Sequence, residues 1–195
     1  MTRHFRRDEN AGFTLVELIV AIGVFSLVAV ALTTILLSST RLGSRTSRRA
    51  EVQGGSRQTL SLISTELRQA GADPTIPPAG ILGIVAADST TIHIRSDLNG
   101  DGVMQTTEPS EEVTYAWSPS PGNVTRDTGS GAVTVLSNVT ALSFRYFDAS
   151  GNALTPLPLS AANAALVTSI EVSFTAEEGD SRPVTLATRV NLRNR

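Results

Sequence analysis

The sequence predicts an α+β fold: a long N-terminal membrane-spanning helix whose C-terminal half packs on an antiparallel β-sheet head. Three observations carry this. Residues 13–37 are an apolar stretch holding one charge, Glu17. Leu60, Ile63, Leu67 and Ala70 then recur at helical spacing and mark an amphipathic face. From Ile92 onward the apolar period falls to two, as expected of strands with one buried face.

The first twelve residues are polar, with Arg3, Arg6, Arg7, Asp8 and Glu9, and end at Ala11-Gly12. The apolar stretch behind them is long enough to cross a bilayer: at about 1.5 Å per helical residue it reaches roughly 37 Å, against a hydrocarbon core of about 30 Å. An acid within such a span costs roughly 2.5–3.5 kcal/mol near its centre, so Glu17 needs a partner and a reason.

Gly12-Phe13-Thr14-Leu15-Val16-Glu17-Leu18 resembles the cleavage and methylation motif of type IV prepilins and type II secretion pseudoprepilins. The resemblance implies that residues 1–12 are a leader removed by a prepilin peptidase after Gly12, on the cytoplasmic face. It implies that Phe13 becomes the N-methylated amino terminus and that Glu17 is the fifth mature residue. Its charge would be offset by the Phe13 ammonium of its own or a neighbouring subunit, so that assembly relieves an exposed charge. A plain membrane anchor accounts for the apolar run but not for Glu17. A secretory signal peptide is the stronger rival, through the A-x-A-like site Ala29-Val30-Ala31, but the apolar run continues past it through Leu32, Ile35, Leu36 and Leu37. Arg41, Arg45, Arg48 and Arg49 follow the run and outnumber the leader arginines, which runs against a cytoplasmic amino terminus. Long downstream domains translocate largely regardless of such counts.

Residues 38–71 continue the stem as its amphipathic half, ended by Gly71 and Asp73-Pro74. Gly54-Gly55 is its weak point, at about 1 kcal/mol per Gly relative to Ala, where a kink or short break is expected. Residues 72–195 form the β-rich head. Its alternating segments are Ile92 and Ile94; Val113, Tyr115 and Trp117; Leu142, Phe144 and Tyr146; Ile170, Val172 and Phe174; and Val184, Leu186, Val190 and Leu192. Residues 56–70 of the stem are the expected cover for the apolar face, which together with the N-terminal resemblance implies a pilin fold. Residues 138–148 and the final strand through Asn191-Leu192-Arg193 look like PilW-type minor pilins and J-type pseudopilins.

Composition excludes several chemistries. The chain of 195 residues has no Cys, hence no disulfide, zinc-thiolate or thiol nucleophile, and all sixteen of its basic residues are Arg, so no lysine serves a Schiff base or P-loop. Charge is uneven: residues 38–71 carry six Arg against Glu51 and Glu66, whereas residues 72–195 carry seven Arg against thirteen acids. His4 lies in the leader and His93 on the polar side of the Ile92/Ile94 alternation. Glu111-Glu112 and Glu177-Glu178 read as solvated ends, so no catalytic residues are assigned.

The second motif runs from Asp97 to Glu108 and fits D-x-[DN]-x-[DN]-G-x5-E. In a calcium loop of this kind Asp97, Asn99, Asp101, the Val103 carbonyl, Gln105 through water and Glu108 would surround Ca²⁺, with Gly102 allowing the bend. Pro109 follows Glu108 directly, so Glu111 or Glu112 could close the shell instead. A metal-free hairpin tip using Asn99-Gly100 and Asp101-Gly102 is the competing account.

The expected protein is therefore a non-enzymatic minor pilin subunit of type IV pilus assembly. The resemblance implies other pilins or pseudopilins as partners through the N-terminal helix, with prepilin peptidase and an inner-membrane assembly platform. It implies a single-pass inner-membrane location with the head extracytoplasmic, then a fibre or its tip. The alternatives are a type II secretion pseudopilin and, less favoured, a DNA-binding or adhesive fibre subunit. The arginine-rich stretch 41–57 could meet phosphates but has no aromatic residue for stacking, so nucleic acid is not expected as a partner.

Overall fold

The computed structural model describes residues 13–105, 110–179 and 182–194. The leader with Gly12, and Glu108, lie outside the described residues. In chain order the elements are α1 (Leu15–Gln69), β1 (Ile84–Ala87), β2 (Thr91–Arg95), β3 (Glu112–Ser118), β4 (Asn123–Asp127), β5 (Val133–Leu136), β6 (Val139–Phe147), α2 (Ala161–Ala164), β7 (Ser169–Ala176) and β8 (Val184–Asn191). The chain divides into two compact units, one ending at Thr46 and one spanning Ser47–Arg195, with α1 contributing to both.

In the first unit, Leu15–Thr40 is long and apolar enough to cross a membrane, with a mean hydropathy of 2.7, and none of it is buried inside the protein. A core helix of a globular domain would be covered; this one presents Leu, Val, Ile and Phe on every side, as lipid demands. Its hydroxyls are satisfied locally. Ser26 Oγ donates to Ile22 O at 2.7 Å, and Thr33 and Thr34 donate to Ala29 O and Val30 O, each at 2.8 Å. These back-bonds let small polar residues sit in an apolar span without an unpaired donor.

In the second unit, α1 buries Val52, Ser56, Thr59, Ile63, Glu66, Leu67 and Ala70, a stripe at spacings of three and four. The break expected at Gly54-Gly55 does not occur: both residues lie inside α1. Burial of Val52 and Ile63 on either side stabilises the helix by about 1.5–3 kcal/mol each, which outweighs the glycine cost. A Cβ at Gly55 would meet Leu136 Cδ1 at 3.7 Å, an ordinary van der Waals contact, so packing does not demand glycine there.

The helix ends where the glycines require. Gly71 adopts φ +77° and donates its N–H to Arg95 O at 2.8 Å, while Gly83 approaches so closely that a Cβ would stand 2.6 Å from Gly71 N. A side chain at either position is excluded by sterics.

The head contains two antiparallel sheets where the sequence led us to expect one: a five-stranded meander in the order β1-β2-β3-β4-β5, and a three-stranded sheet β6-β7-β8. The alternation sets the registers, with Ile92 opposite Tyr115, Ile94 opposite Val113, Phe144 opposite Val172 and Ile170 opposite Val190. Both inner faces join the buried stripe of α1 in a single apolar core. The sheets are stitched by Val139 N–H to Gly122 O and Phe144 N–H to Ser89 O, both 2.8 Å, and by the Tyr146 hydroxyl to Asp88 O at 2.7 Å. Burial and the neighbouring Asp88 push the Tyr146 phenol above its ordinary pKa. Leu192, expected within the last strand, lies one residue past β8, but its N–H still donates to Thr168 O at 3.0 Å.

Candidate functional site

The amino-terminal end of α1 is built by a four-residue device. Thr14 stands immediately before the helix. Its backbone N–H and its hydroxyl both donate to Glu17 Oε2 at 2.9 Å, and Glu17 N–H donates back to Thr14 Oγ1 at 3.3 Å. This is a capping box, Thr-x-x-Glu, in which each residue satisfies a donor the first helical turn leaves open. The ammonium expected to offset Glu17 arises on Phe13, of its own or a neighbouring subunit, only after cleavage at Gly12; in the uncut chain Thr14 holds the carboxylate. The signal was present in the sequence as a Thr three residues before a Glu, and was masked by the interpretation of Glu17 as a lone intramembrane charge. Gly12 lies outside the described residues.

The second candidate lies between β2 and β3. Asp97 is 1% exposed. Its Oδ1 accepts from Gly100 N–H at 2.6 Å and its Oδ2 from Gly102 N–H at 2.8 Å, which turns the chain through the two glycines. Asn99 Oδ1 accepts from Asp101 N–H at 2.9 Å and Asp101 Oδ1 from Val103 N–H at 2.8 Å, and Gln105 Nε2 donates to Asp101 Oδ2 at 3.1 Å. The loop rests on the segment after α1: Asp97 N–H donates to Ala72 O at 2.8 Å, and a Cβ on Gly102 would stand 3.2 Å from Thr75 Cγ2.

The structure separates the two alternative closing acids. Glu111, 1% exposed, accepts from Leu98 N–H at 3.4 Å and Gln105 N–H at 3.3 Å and so belongs to the loop. Glu112 is engaged elsewhere, 2.7 Å from Arg95 Nε and 3.5 Å from His93 Nε2. Among the described residues no three His, Asp or Glu are grouped to hold a metal. The oxygen donors of the loop are the side chains of Asp97, Asn99 and Asp101, with Glu111 bonded to its backbone; Asp97 Oδ1 and Oδ2, Asn99 Oδ1 and Asp101 Oδ1 each accept one N–H, whereas Asp101 Oδ2 accepts from both Asn99 Nδ2 at 3.2 Å and Gln105 Nε2 at 3.1 Å. That chemistry, oxygen only, suits a hard cation.

A third cluster was not anticipated. Glu66, read from the sequence only as a stem charge, is 8% exposed. It accepts Arg126 Nη2 at 2.6 Å on Oε1 and the Tyr115 hydroxyl at 2.5 Å on Oε2, with Arg126 Nε at 3.1 and 3.2 Å from the two oxygens. Arg126 Nη2 also donates to Ser110 Oγ at 2.7 Å. Ser110 has φ +74°, a left-handed conformation unusual for a residue with a side chain, and stands directly before Glu111. The Glu66 hydrogen bonds raise the Arg126 pKa; burial first, then Glu66, raises that of Tyr115. The trio ties the stem helix to β3 and β4. His93, on the polar side of β2, is partly buried with its Nε2 3.5 Å from Glu112 Oε2.

Residues 7–38 match the family model for the prokaryotic N-terminal methylation motif, which covers the boundary residues Gly12 and Phe13, the capping box and most of the apolar span. No curated protein matches the chain.

Proposed function

We propose that the chain, whose N-terminal methylation motif supports a type IV pilin-like prepilin, serves as a minor pilin in pilus assembly or initiation. Such proteins are typically non-enzymatic. The observation that carries the reading is the coincidence of that motif with a helix start capped by Thr14 and Glu17 and followed by an uncovered apolar span. Prepilin peptidase cuts after Gly12 and methylates the new amino group of Phe13. The stem then leaves lipid for neighbouring stems on an inner-membrane assembly platform.

Glu17 has a specific task in this sequence of events. Before assembly the capping box keeps its carboxylate hydrogen-bonded within its own chain, which lowers the cost of an acid in lipid. On assembly the same carboxylate meets the Phe13 ammonium of a neighbour, a charge pair stronger than the bonds to Thr14. The minor role is supported by the loop-rich, two-sheet head and by the likeness of residues 138–148 to PilW-type subunits. A type II secretion pseudopilin shares the same motif and is separated from this reading by phenotype: deletion of the gene should stop surface fibres and leave secretion of folded proteins intact.

The loop from Asp97 to Glu108 is proposed as a structural Ca²⁺ site, with Asp97, Asn99, Asp101, the Val103 carbonyl, Gln105 through water and Glu108 as its ligands and Glu111 close behind. The folded Asp97–Gly102 turn and its oxygen-only donors support this. The test is a calcium-dependent melting shift that an Asp101 variant loses.

A further inference from the structure

Each of the two sheets in the head has two edges, and three of these four are engaged by other parts of the chain. On β1, Ala87 O accepts from Leu159 N–H at 2.8 Å; on β5, Val135 O accepts the Thr59 hydroxyl at 3.0 Å; on β6, Val139 and Phe144 donate to Gly122 O and Ser89 O. The edge formed by β8 differs. Its register with β7 runs without a shift from Ser169 opposite Asn191 to Ala176 opposite Val184, and Leu192 N–H continues it by donating to Thr168 O. Backbone groups in an antiparallel ladder face the partner strand at every second residue. Val184, Leu186, Thr188 and Val190 therefore bond to β7, and Thr185, Ala187, Arg189 and Asn191 turn their N–H and C=O outward. Among the described residues no backbone group bonds to that outward row. An open edge of eight residues exceeds the usual strand of about five or six and is a template for another strand.

We infer that β8 takes up an extended acidic segment of a partner protein as a fourth strand of its sheet. The inference goes beyond the assembly role and is independent of how the amino terminus is processed. Main-chain pairing holds such a segment, and its alternate side chains supply selectivity. Those facing inward enter the groove between β8 and α1, where Leu186 and Thr188 of the strand meet Arg57, Leu60 and Arg68 of the helix. No residue lining that groove is acidic, and among the described residues neither arginine is paired with a carboxylate. Arg57 and Arg68 are separated along α1 by about 16 Å, at roughly 1.5 Å per residue, which an extended chain covers in about five residues. Acids at the first and fifth positions of a segment share a face and reach the two arginines, while the third position meets Leu60 and Leu186. A second copy of β8 fits this groove poorly, since the strand carries Arg189 and no acid.

The full-length protein in mild detergent is titrated with the synthetic peptide acetyl-Glu-Thr-Val-Thr-Glu-Thr-amide, and amide hydrogen exchange is followed residue by residue by NMR. The peptide should slow exchange at Ala187 and Arg189, whose N–H groups point outward, and leave Thr188 and Val190, already held by β7, unchanged. Replacing both glutamates by glutamine, or combining Arg57→Gln with Arg68→Gln, should weaken binding by about two- to fivefold for each ion pair lost. N-methylation of one alternate set of peptide amides should abolish binding, and of the other set should spare it. Ala187→Pro removes an outward N–H and no bond to β7, so the variant should melt with the parent and lose the peptide. A peptide that protects no β8 amide, equal binding of the glutamate and glutamine peptides, or a folded Ala187→Pro variant that still binds would overturn the inference. Should that variant melt early, the two N-methylated peptides decide, and equal binding by both overturns strand addition. Protection of Ala187 and Arg189 that rises with protein concentration in the absence of peptide would assign the edge to a second copy and overturn the inference as well.

Discussion

Arg126 Nη2 donates to Glu66 Oε1 at 2.6 Å, joining β4 to α1 across sixty residues of sequence. The side chains are 21% and 10% exposed, so the pair is shielded without being sealed. Truncating Arg126 leaves Glu66 with only the Tyr115 hydroxyl in a nearly buried place. Breaking a fully buried pair costs roughly 3–5 kcal/mol, and partial solvation reduces that to about 2–3 kcal/mol for Arg126→Leu. Urea denaturation of residues 47–195 checks this, and the joint replacement Glu66→Leu with Arg126→Leu should cost less than Arg126→Leu alone.

Thr14→Ala should loosen the first turn of α1 by about 1 kcal/mol, since it removes the hydroxyl that accepts Glu17 N–H and steadies its carboxylate. Faster amide exchange at residues 15–18 in lipid nanodiscs is the readout. Thr14→Ser, which retains the hydroxyl, should restore protection.

These two relationships show what could be read in the sequence. The strand cores were legible because Ile92/Ile94, Val113/Tyr115 and Phe144/Tyr146 alternate strictly with polar neighbours, and sheets enforce that period. β1, β4 and β5 were not, being short; β4 buries only Val124, whose isolated Val leaves no period to detect. The division into two sheets follows from long-range contacts such as Val139 with Gly122, which no local pattern encodes. Glu66 was counted only as a stem charge because its partners lie 49 and 60 residues away. The methylation motif was fully legible, being contiguous.

Calcium should raise the melting temperature of residues 47–195. With a dissociation constant near 0.1 mM, ligand at about 1 mM stabilises by roughly 1.4 kcal/mol, a shift of about 3–6 °C for a domain of this size. Asp101→Asn should abolish the shift while leaving the loop folded, because its side-chain oxygen can still accept from Val103 N–H. Asp97→Ala is the poorer test, since it also strips the acceptor from Gly100 and Gly102. An identical melting temperature in chelator and in calcium would favour the metal-free hairpin tip.

Acid should release the segment after α1. The Thr75 hydroxyl, with help from Gly80 and Ile81 N–H, holds the Asp73 carboxyl down at about 2. A depressed folded value means the contribution is fully present above the unfolded value near 4 and is lost as pH falls through about 2. Exchange of the Gly80 amide should therefore accelerate only over that interval, beyond the intrinsic pH dependence. Asp73→Asn should remove the dependence.

Gly54→Ala should stabilise residues 47–195 by about 0.5–1 kcal/mol, because the site is helical, exposed and open to a methyl group. Gly83→Ala should do the reverse, its Cβ being driven into the backbone of Ala70 and Gly71 at under 3 Å. Thermal melts of the two variants beside the parent decide both.

The account stands most directly on the chemistry of the amino terminus. Intact-mass and peptide mass spectrometry of the protein recovered from cells with an active prepilin peptidase should find a chain that begins at N-methylated Phe13. Gly12→Ala should impair that cut, whereas Glu17→Val should leave it intact and weaken recruitment into the fibre. A chain that remains uncut in such cells, or one that begins at Leu32 after Ala29-Val30-Ala31, would contradict the assignment as a prepilin.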